Sequence, residues 1–343
     1  MKVPSYNWKL TDLKTVRKNG LKVFSCFVCG GGSTMGYKLA GFDVIGANDI
    51  DPEMAWHYQE NHKPKHYYLE DIREFRKRKD LPKELFNIDV LDGSPPCSSF
   101  SMSGNREKDW GKEKKFREGQ ASQTLDDLFF EFIELAKRLK PKVVIAENVK
   151  GMLAGDARGY VIEVIEQFEK IGYNVQLFLL NAAAMGVPQS RERVFFICTR
   201  KDLKLGKLKL EFTQKAIPLG KALAGTLHEF GRSQEHSKML KWYKLCKAGK
   251  AFSTVHPKGS LFSHIKCSPN KPAPTITARW HCFYRWDKMC NFTNEQLCRI
   301  FSFPSDYKFR EKTEAGYLMG MSVPPLMTYG VASEVAKQLF KIP

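Results

Sequence analysis

Between Leu21 and about Arg200 the sequence alternates short β-rich runs with helical stretches, and this alternation restricts the fold more than any other feature. The runs LKVFSCF, FDVIGAND, NIDVLDG, KVVIAEN, YNVQLFLL and RVFFICT are predicted to be strands. Strands that alternate with helices indicate a parallel, doubly wound α/β sheet, which binds ligands at the carboxyl ends of its strands. We therefore predict a ligand-binding α/β domain over 1–200, completed by 314–343, and a smaller, mixed or β-rich domain over 201–313.

The charge of the chain is strongly positive and unevenly distributed. Fifty-five lysines and arginines face 37 aspartates and glutamates, which gives a net charge of +18 among 343 residues. Residues 201–260 hold thirteen basic and four acidic side chains, half of that net charge. Aromatic residues lie between these lysines (KWYKLCKAGKAFSTVHPKG), a mixture that favours a nucleic-acid surface over a merely solvated lysine-rich face. An extended apolar run is absent from the sequence, so we predict neither a signal peptide nor a membrane span.

A glycine-rich loop, VFSCFVCGGGSTMG, follows the first predicted strand and opens the first helix. Asp49 ends the second strand, nineteen residues after Gly30, and Asp71 follows the next strand. A carboxylate at that spacing can accept hydrogen bonds from the ribose hydroxyls of an adenosine cofactor. At this point both a nicotinamide dinucleotide and S-adenosylmethionine remain open. Cys26 and Cys29 have the spacing of half a metal site, but no matching second half follows, so we predict no metal.

Two chemically reactive side chains end two further predicted strands. In DVLDGSPPCSSFSMSG two prolines end the strand and place Cys97 directly after it. In KVVIAEN the apolar run ends at Glu147. Each residue also has a structural interpretation. Cys97 can be an incidental cysteine in a turn, and Glu147 can be a structural acid. Because both lie at strand ends, where the ligand of such a sheet binds, we favour a catalytic pair. A thiol there needs nearby positive charge or N–H dipoles to become a nucleophile.

Polar side chains alternate with other residues at the start of the last strand, in GVPQSRERVFFI. Gln189, Arg191 and Arg193 lie two apart, so they point to the same face. Arginines at such a place can clamp a phosphate or hold a base carbonyl. Between the Cys97 corner and the long predicted helix TLDDLFFEFIELAKRLK runs a charged segment with glycines at 104, 111 and 119. A segment of this length and composition is typical of a functional lid or of a disordered loop.

Taken in order, the glycine loop, GSPPCSSFSMSG, AENVKGM, GVPQSRERVFFI and GMSVPP resemble the cytosine-C5 DNA methyltransferase family of the bacterial and phage kind. The resemblance covers nearly the whole chain and leaves out about residues 201–265, where that family's target-recognition region varies. It implies a Rossmann-like methyltransferase fold and S-adenosylmethionine as cofactor. It also implies methyl transfer to C5 of a cytosine flipped out of a short duplex DNA sequence. Amino-methylating relatives would need an aromatic residue where this chain has the thiol, which excludes them.

The resemblance also implies roles for individual residues. Cys97 would attack cytosine C6, Glu147 would contact and protonate N3, and Arg193 with Arg191 would support the site. The implied cofactor-binding residues are Phe27, Gly30, Gly31, Gly32, Asp49, Ile50, Asp71, Ile72, Pro95, Leu128 and Val323. The implied DNA-binding residues are Ser98, Ser103, Arg106 and Gln189. Three positions depart from the usual family pattern: Cys29 replaces a glycine, Ser98 a glutamine and Met321 an asparagine.

The predicted partner is double-stranded DNA, bound by a monomer in a bacterial cytoplasm or nucleoid or in a phage-infected cell. A restriction endonuclease of the same specificity is a second partner that the sequence leaves open. Two other functions also stay open. A tRNA cytosine-5 methyltransferase of the same fold usually carries a Cys-Phe-Thr triplet, and the nearest string here is CFYRW at Cys282. A catalytically decayed DNA-binding homologue is disfavoured because Cys97, Glu147 and Arg193 are all present.

Overall fold

A computed structural model describes residues 4–96, 127–155, 157–234, 237–310 and 315–342 of the chain. In that part of the chain the strands are β1 (Lys22–Cys26), β2 (Asp43–Asp49), β3 (His66–Leu69), β4 (Val90–Gly93), β5 (Val143–Val149), β6 (Tyr173–Asn181), β7 (Glu192–Arg200), β8 (Lys250–Ala251), β9 (Ile265–Lys266) and β10 (Phe283–Tyr284). The helices are α1 (Gly32–Leu39), α2 (Pro52–His62), α3 (Ile72–Phe75), α4 (Leu128–Leu139), α5 (Ala157–Lys170), α6 (Leu219–Ala222), α7 (Leu240–Leu245), α8 (Asn294–Phe301), α9 (Ala315–Met321) and α10 (Pro325–Leu339).

The chain divides into two compact units, each built from separate parts of the sequence. The sheet unit consists of Thr15–Leu180, Glu192–Glu211 and Tyr329–Pro343. The second unit consists of Met1–Lys14, Asn181–Arg191 and Phe212–Thr328. The functional domains predicted above, 1–200 with 314–343 and 201–313, stay a prediction.

The sheet unit contains seven strands in the order β3-β2-β1-β4-β5-β7-β6. Neighbouring strands from β3 to β5 run parallel, whereas β7 runs antiparallel to β5. The expectation of a wholly parallel sheet was therefore wrong at β7, because an apolar run predicts a strand but not its direction. The carboxyl ends of β1 to β5 and the first residues of β7 consequently lie along one edge of the sheet.

The core of the sheet unit lies between the strands and the helices that cover them. Helix α4 contributes a continuous buried face because its apolar residues recur at helical spacing. Its C-cap, Lys140, has a left-handed conformation and ends the helix. The buried residues of α4 are Leu128, Phe129, Phe132, Ile133, Leu135, Ala136 and Leu139.

The second unit is less regular than the sheet unit. Its three strands, β8, β9 and β10, form a small sheet, and each contains only two residues. A separate apolar core lies beside this sheet and is formed by Tyr243, Cys246, Phe252, Tyr284 and Met289.

The described residues contain neither a helix that could span a membrane nor a cluster that could bind a metal. None of the helices in these ranges is long and apolar enough to cross a membrane. The same ranges contain no group of three or more histidines, cysteines, aspartates or glutamates that could hold a metal ion.

Candidate active site

The carboxyl edge of the sheet brings together residues that lie far apart in the sequence. Phe27 follows β1, Asp49 ends β2, Asp71 follows β3, Pro95 follows β4, and Glu147 lies near the end of β5. Because these five strands are neighbours, separated by about 4.8 Å each, the side chains share one edge. Other predicted cofactor residues adjoin the same strand ends, namely Gly30, Gly31, Gly32, Ile50 and Ile72, and Leu128 is buried at the start of α4.

The glycine loop has an alternating backbone conformation. Phe27, Cys29 and Gly31 have positive φ angles of 56°, 48° and 80°. Alternation of this kind turns successive N–H groups into a concave surface that suits a polar ligand. Cys29, which stands where the family usually has glycine, therefore adopts a conformation that favours glycine, at a cost of about 1–2 kcal/mol. Its N–H donates to the Asp49 carboxylate at 2.7 Å, which ties the loop to the end of β2.

A buried histidine supports the back of this loop. The His62 Nε2 atom lies 3.2 Å from the Gly30 carbonyl oxygen, to which it can donate when that nitrogen carries the proton. A Cβ atom on Gly31 would lie only 2.1 Å from the same nitrogen, so no side chain fits there. Burial, followed by the charge of Lys38, lowers the pKa of His62 to about 3 and keeps the ring neutral. No sequence pattern indicated His62.

Two carboxylates are held at the ends of β2 and β3. Burial raises the pKa of Asp49, while its oxygens accept backbone hydrogen bonds. Asp71 caps α3 and accepts from the Arg73 backbone N–H at 2.8 Å and from its guanidinium at 3.0 Å. Arg73 also donates to Asp127 at 2.6 Å, beside the start of α4.

These groups fit the cofactor that the resemblance implies. S-adenosylmethionine presents ribose hydroxyls and an adenine amine, which donate hydrogen bonds, and a carboxylate, which accepts them. Asp49 and Asp71 offer acceptor oxygens, and the loop offers backbone N–H groups. The ends of β1, β2 and β3 therefore offer donors and acceptors of the kinds that an adenosine cofactor needs.

An ion pair joins the predicted acid on β5 to the predicted arginine on β7. Arg193 Nε lies 2.9 Å from Glu147 Oε1, and the side chains are only 12% and 10% exposed. The antiparallel register places Val149 opposite Arg193, so Glu147 and Arg193 are diagonal neighbours on one face. Burial lowers the pKa of Arg193, and the neighbouring Glu147 charge opposes that shift.

The side chain of Asn148 connects β5 to the proline corner. Its amide nitrogen donates to the Pro95 carbonyl at 3.0 Å, and the asparagine is only 4% exposed. This bond holds the chain two residues before Cys97 next to the strand that carries Glu147. Cys97 itself, with Ser98, Ser103 and Arg106, lies outside the described residues. Apart from its position next to Glu147, no sequence pattern indicated a role for Asn148.

A buried aspartate lies at the end of β4, five residues before Cys97. Asp92 is 4% exposed and accepts hydrogen bonds from Ser33 at 2.9 Å and Tyr37 at 3.1 Å. Both donors belong to α1, the helix that the glycine loop opens. Asp92 thus links the cofactor loop to the strand that leads to the predicted nucleophile. The sequence signal for Asp92 is an acidic residue inside an apolar run, but Asp92 was not among the predicted functional residues.

Three predicted residues belong to the second unit and are buried there. The Arg191 guanidinium is 2% exposed and donates to the carbonyls of Ile276, Gly320 and Ser322 at 2.8–3.0 Å. Gln189 is fully buried and accepts from the Ile276 N–H at 3.2 Å. Val323 is 6% exposed.

Known proteins resemble this chain in sequence and in fold. A family model described as C-5 cytosine-specific DNA methylase matches residues 21–340. The Type II methyltransferase M.FnuDI of Fusobacterium nucleatum is 38% identical over 56% of this chain, and the chain spans about half (51%) of that relative's length. The Type II methyltransferase M.DdeI of Desulfomicrobium norvegicum is 28% identical over 92% of this chain and 88% of its own length. A prophage-encoded protein of E. coli, described as a DNA modification methyltransferase, has a similar fold, with a TM-score of 0.71, 20% identity, and coverage of 93% of this chain and 99% of its own.

Proposed function

The chain belongs to the C-5 cytosine-specific DNA methylase family, and from this premise we propose that it methylates C5 of cytosine in double-stranded DNA. The predicted family, the Rossmann-like methyltransferase fold and the cofactor S-adenosylmethionine are confirmed. One observation supports the assignment of the catalytic edge most directly. Asn148 bonds to the carbonyl of Pro95 while its neighbour Glu147 is paired with Arg193, so the nucleophile's strand and the acid's strand are joined at their ends.

In the proposed reaction the residues of that edge act one after another. Cytosine C5 is a weak nucleophile, so the Cys97 thiolate first adds to C6 while Glu147 supplies a proton at N3. This addition makes C5 an enamine carbon that attacks an electrophilic methyl group. S-adenosylmethionine, when bound, supplies that methyl group on a sulfonium. A base then removes the C5 proton, the thiolate leaves C6 by elimination, and N3 returns its proton to Glu147, which restores the neutral ring.

The remaining residues would position these groups. Arg193 holds one oxygen of Glu147, which orients the other oxygen toward the base. Asp49 and Asp71 would accept from the ribose and the adenine. Because the Arg191 guanidinium donates hydrogen bonds to three backbone carbonyls, we assign it a positioning role inside the second unit instead of contact with the base.

The DNA must open for this chemistry, because C6 is inaccessible inside a duplex. Ser98, Ser103 and Arg106 would contact the flipped nucleotide and its strand. We further propose that the enzyme acts as a monomer inside a bacterial or phage-infected cell. The names of its Type II relatives support a restriction endonuclease of matching specificity as a partner.

Bisulfite sequencing of DNA from cells that express the chain tests this proposal. We expect 5-methylcytosine at one short motif, and its loss in Cys97→Ser. A matched control is Cys246→Ser, because Cys246 lies in the second unit's core and a hydroxyl can keep its hydrogen bonds to Lys250 and Ala251. This control should methylate as the wild type does.

A trapping experiment tests the covalent step separately. DNA that carries 5-fluorocytosine at the methylated position should form a stable adduct with the wild type and the control, but not with Cys97→Ser, because fluorine cannot leave C5 as a proton does. Methylation of tRNA with none of DNA would contradict the proposal in favour of the tRNA enzyme. DNA binding without any methylation would favour the decayed homologue.

A further inference from the structure

A stretch of fifty residues in the second unit, 237–286, contains ten lysines and arginines and no aspartate or glutamate. We call it the acid-free segment. It includes α7, the three short strands and most of the small core beside them. Arg285 is buried and paired with Asp287, just outside the segment, but the other nine basic side chains have no acidic residue within the segment and favour a polyanionic partner.

The loop between β8 and β9, residues 252–264, is held in one shape by its own contacts. The Phe252 N–H donates to the His264 carbonyl at 2.8 Å, and their rings are stacked with centroids 5.8 Å apart. Further along, the hydroxyl of Ser260 lies 2.8 Å from His256 Nδ1. These internal contacts favour a single conformation of the β8–β9 loop, which would lower the entropy lost when a partner binds.

Two adjacent residues of this loop point in opposite directions. Leu261 has a φ of 70° and packs against the core of the second unit. Phe262, the next residue, is 69% exposed. Leucine rarely adopts a left-handed backbone, and strain of this kind is found most often at functional sites. Here the strained backbone partly buries Leu261 and leaves the Phe262 ring in solvent, on a loop that also carries Lys258.

We propose that Phe262 inserts between bases of the bound duplex, while lysines of the acid-free segment neutralise the phosphates on either side. Apolar side chains that enter a base step in this way unstack it locally and increase the contact with protein. Charge selects this occupant over a second copy of the chain, because two acid-free surfaces would repel each other. The inference rests on the proposed function only in taking DNA as the substrate.

The experiment compares Phe262→Ala with Leu245→Ala, a matched control on α7 that removes an apolar side chain 63% exposed in the same segment. Binding of the full chain to a fluorescent duplex of random sequence is measured by anisotropy at several salt concentrations. Because stacking on a base contributes strongly to affinity, we expect Phe262→Ala to weaken binding about tenfold or more. The salt dependence should stay unchanged, because no charge is removed. Leu245→Ala should lie within about twofold of the wild type, and Phe262→Trp should restore binding.

The possible outcomes separate this inference from the proposed function. If the wild type binds DNA but methylates none, the proposed function fails while the binding series still tests Phe262. Equal affinities for Phe262→Ala and Leu245→Ala would overturn the inference. So would a wild-type dimer, detected by light scattering, that Phe262→Ala dissociates, since the ring would then contact a second copy. Thermal unfolding of each variant, expected to match the wild type, excludes loss of the fold as the cause.

Discussion

Replacing Asp92 by asparagine should stabilise the protein, and increasingly so as the pH rises. Asp92 lies in β4 opposite Ser25 of β1, and hydroxyl groups of Ser33 and Tyr37 donate to its carboxylate. Burial raises its pKa from 3.8 to about 6, and the Glu147 charge adds to the shift, although the hydrogen bonds oppose it. The ionised side chain is therefore less favourable in the folded chain than in the unfolded one.

The magnitude follows from the difference between the two pKa values. Since the folded state holds its proton to higher pH, the wild type loses stability as the pH rises from about 4 to about 7. The loss amounts to about 1.5 kcal/mol at pH 5 and about 3 kcal/mol at pH 8, at 1.36 kcal/mol per pKa unit. Asparagine has a similar shape and no charge. One hydroxyl can go on donating to its amide oxygen while the other rotates to accept from its amide nitrogen, so Asp92→Asn should recover most of that loss.

Urea unfolding followed by tryptophan fluorescence at pH 5 and pH 8 measures the effect. The matched control is Asp89→Asn, three residues earlier, which removes a carboxylate paired with Lys142 at 2.7 Å and should not stabilise the protein. A variant Asp92→Asn that is less stable than the wild type at pH 8 would refute the reasoning, because the carboxylate would then be net favourable. An equal gain at both pH values would refute its electrostatic origin.

Further predictions concern the cofactor side of the sheet unit. Gly31→Ala should destabilise the protein by about 2–4 kcal/mol and weaken S-adenosylmethionine binding, because its Cβ meets His62 and its backbone is left-handed. Gly20→Ala, which has the same backbone conformation and open space around it, should cost only about 1 kcal/mol. Arg73→Ala should weaken cofactor binding, measured by calorimetry, about fivefold to tenfold, because Arg73 orients the Asp71 carboxylate that is predicted to contact the adenine. Arg76→Ala, which breaks a similar ion pair with Glu131 of α4 but leaves Asp71 paired with Arg73, should change the affinity less than twofold.

Each pair has an outcome that contradicts it. Equal destabilisation by Gly31→Ala and Gly20→Ala would show that the close contact behind the loop contributes nothing. Equal loss of affinity in Arg73→Ala and Arg76→Ala would indicate that only the packing of α3 on α4 matters, and not the orientation of Asp71.

Several features of the site followed from local sequence because local chemistry produces them. The apolar runs predicted β1, β2, β4, β5, β6 and β7, since a buried strand needs such residues wherever it lies in the sheet. The run of small residues at Gly30–Gly32 predicted a loop to which a ligand can come close, and the left-handed conformation of Cys29 shows that this geometry persists without glycine. The specific motifs around Cys97 and Glu147 were sufficient for the family.

By itself the sequence determined the family, the cofactor and the residue types that the chemistry needs. The tertiary structure alone decided which of them meet. The Glu147–Arg193 pair depends on β7 running antiparallel to β5, and the Asn148–Pro95 bond joins positions 53 residues apart. Hydrophobic periodicity records whether a residue is buried, but strand direction, register and the partner of a buried polar group are set by packing of the whole chain.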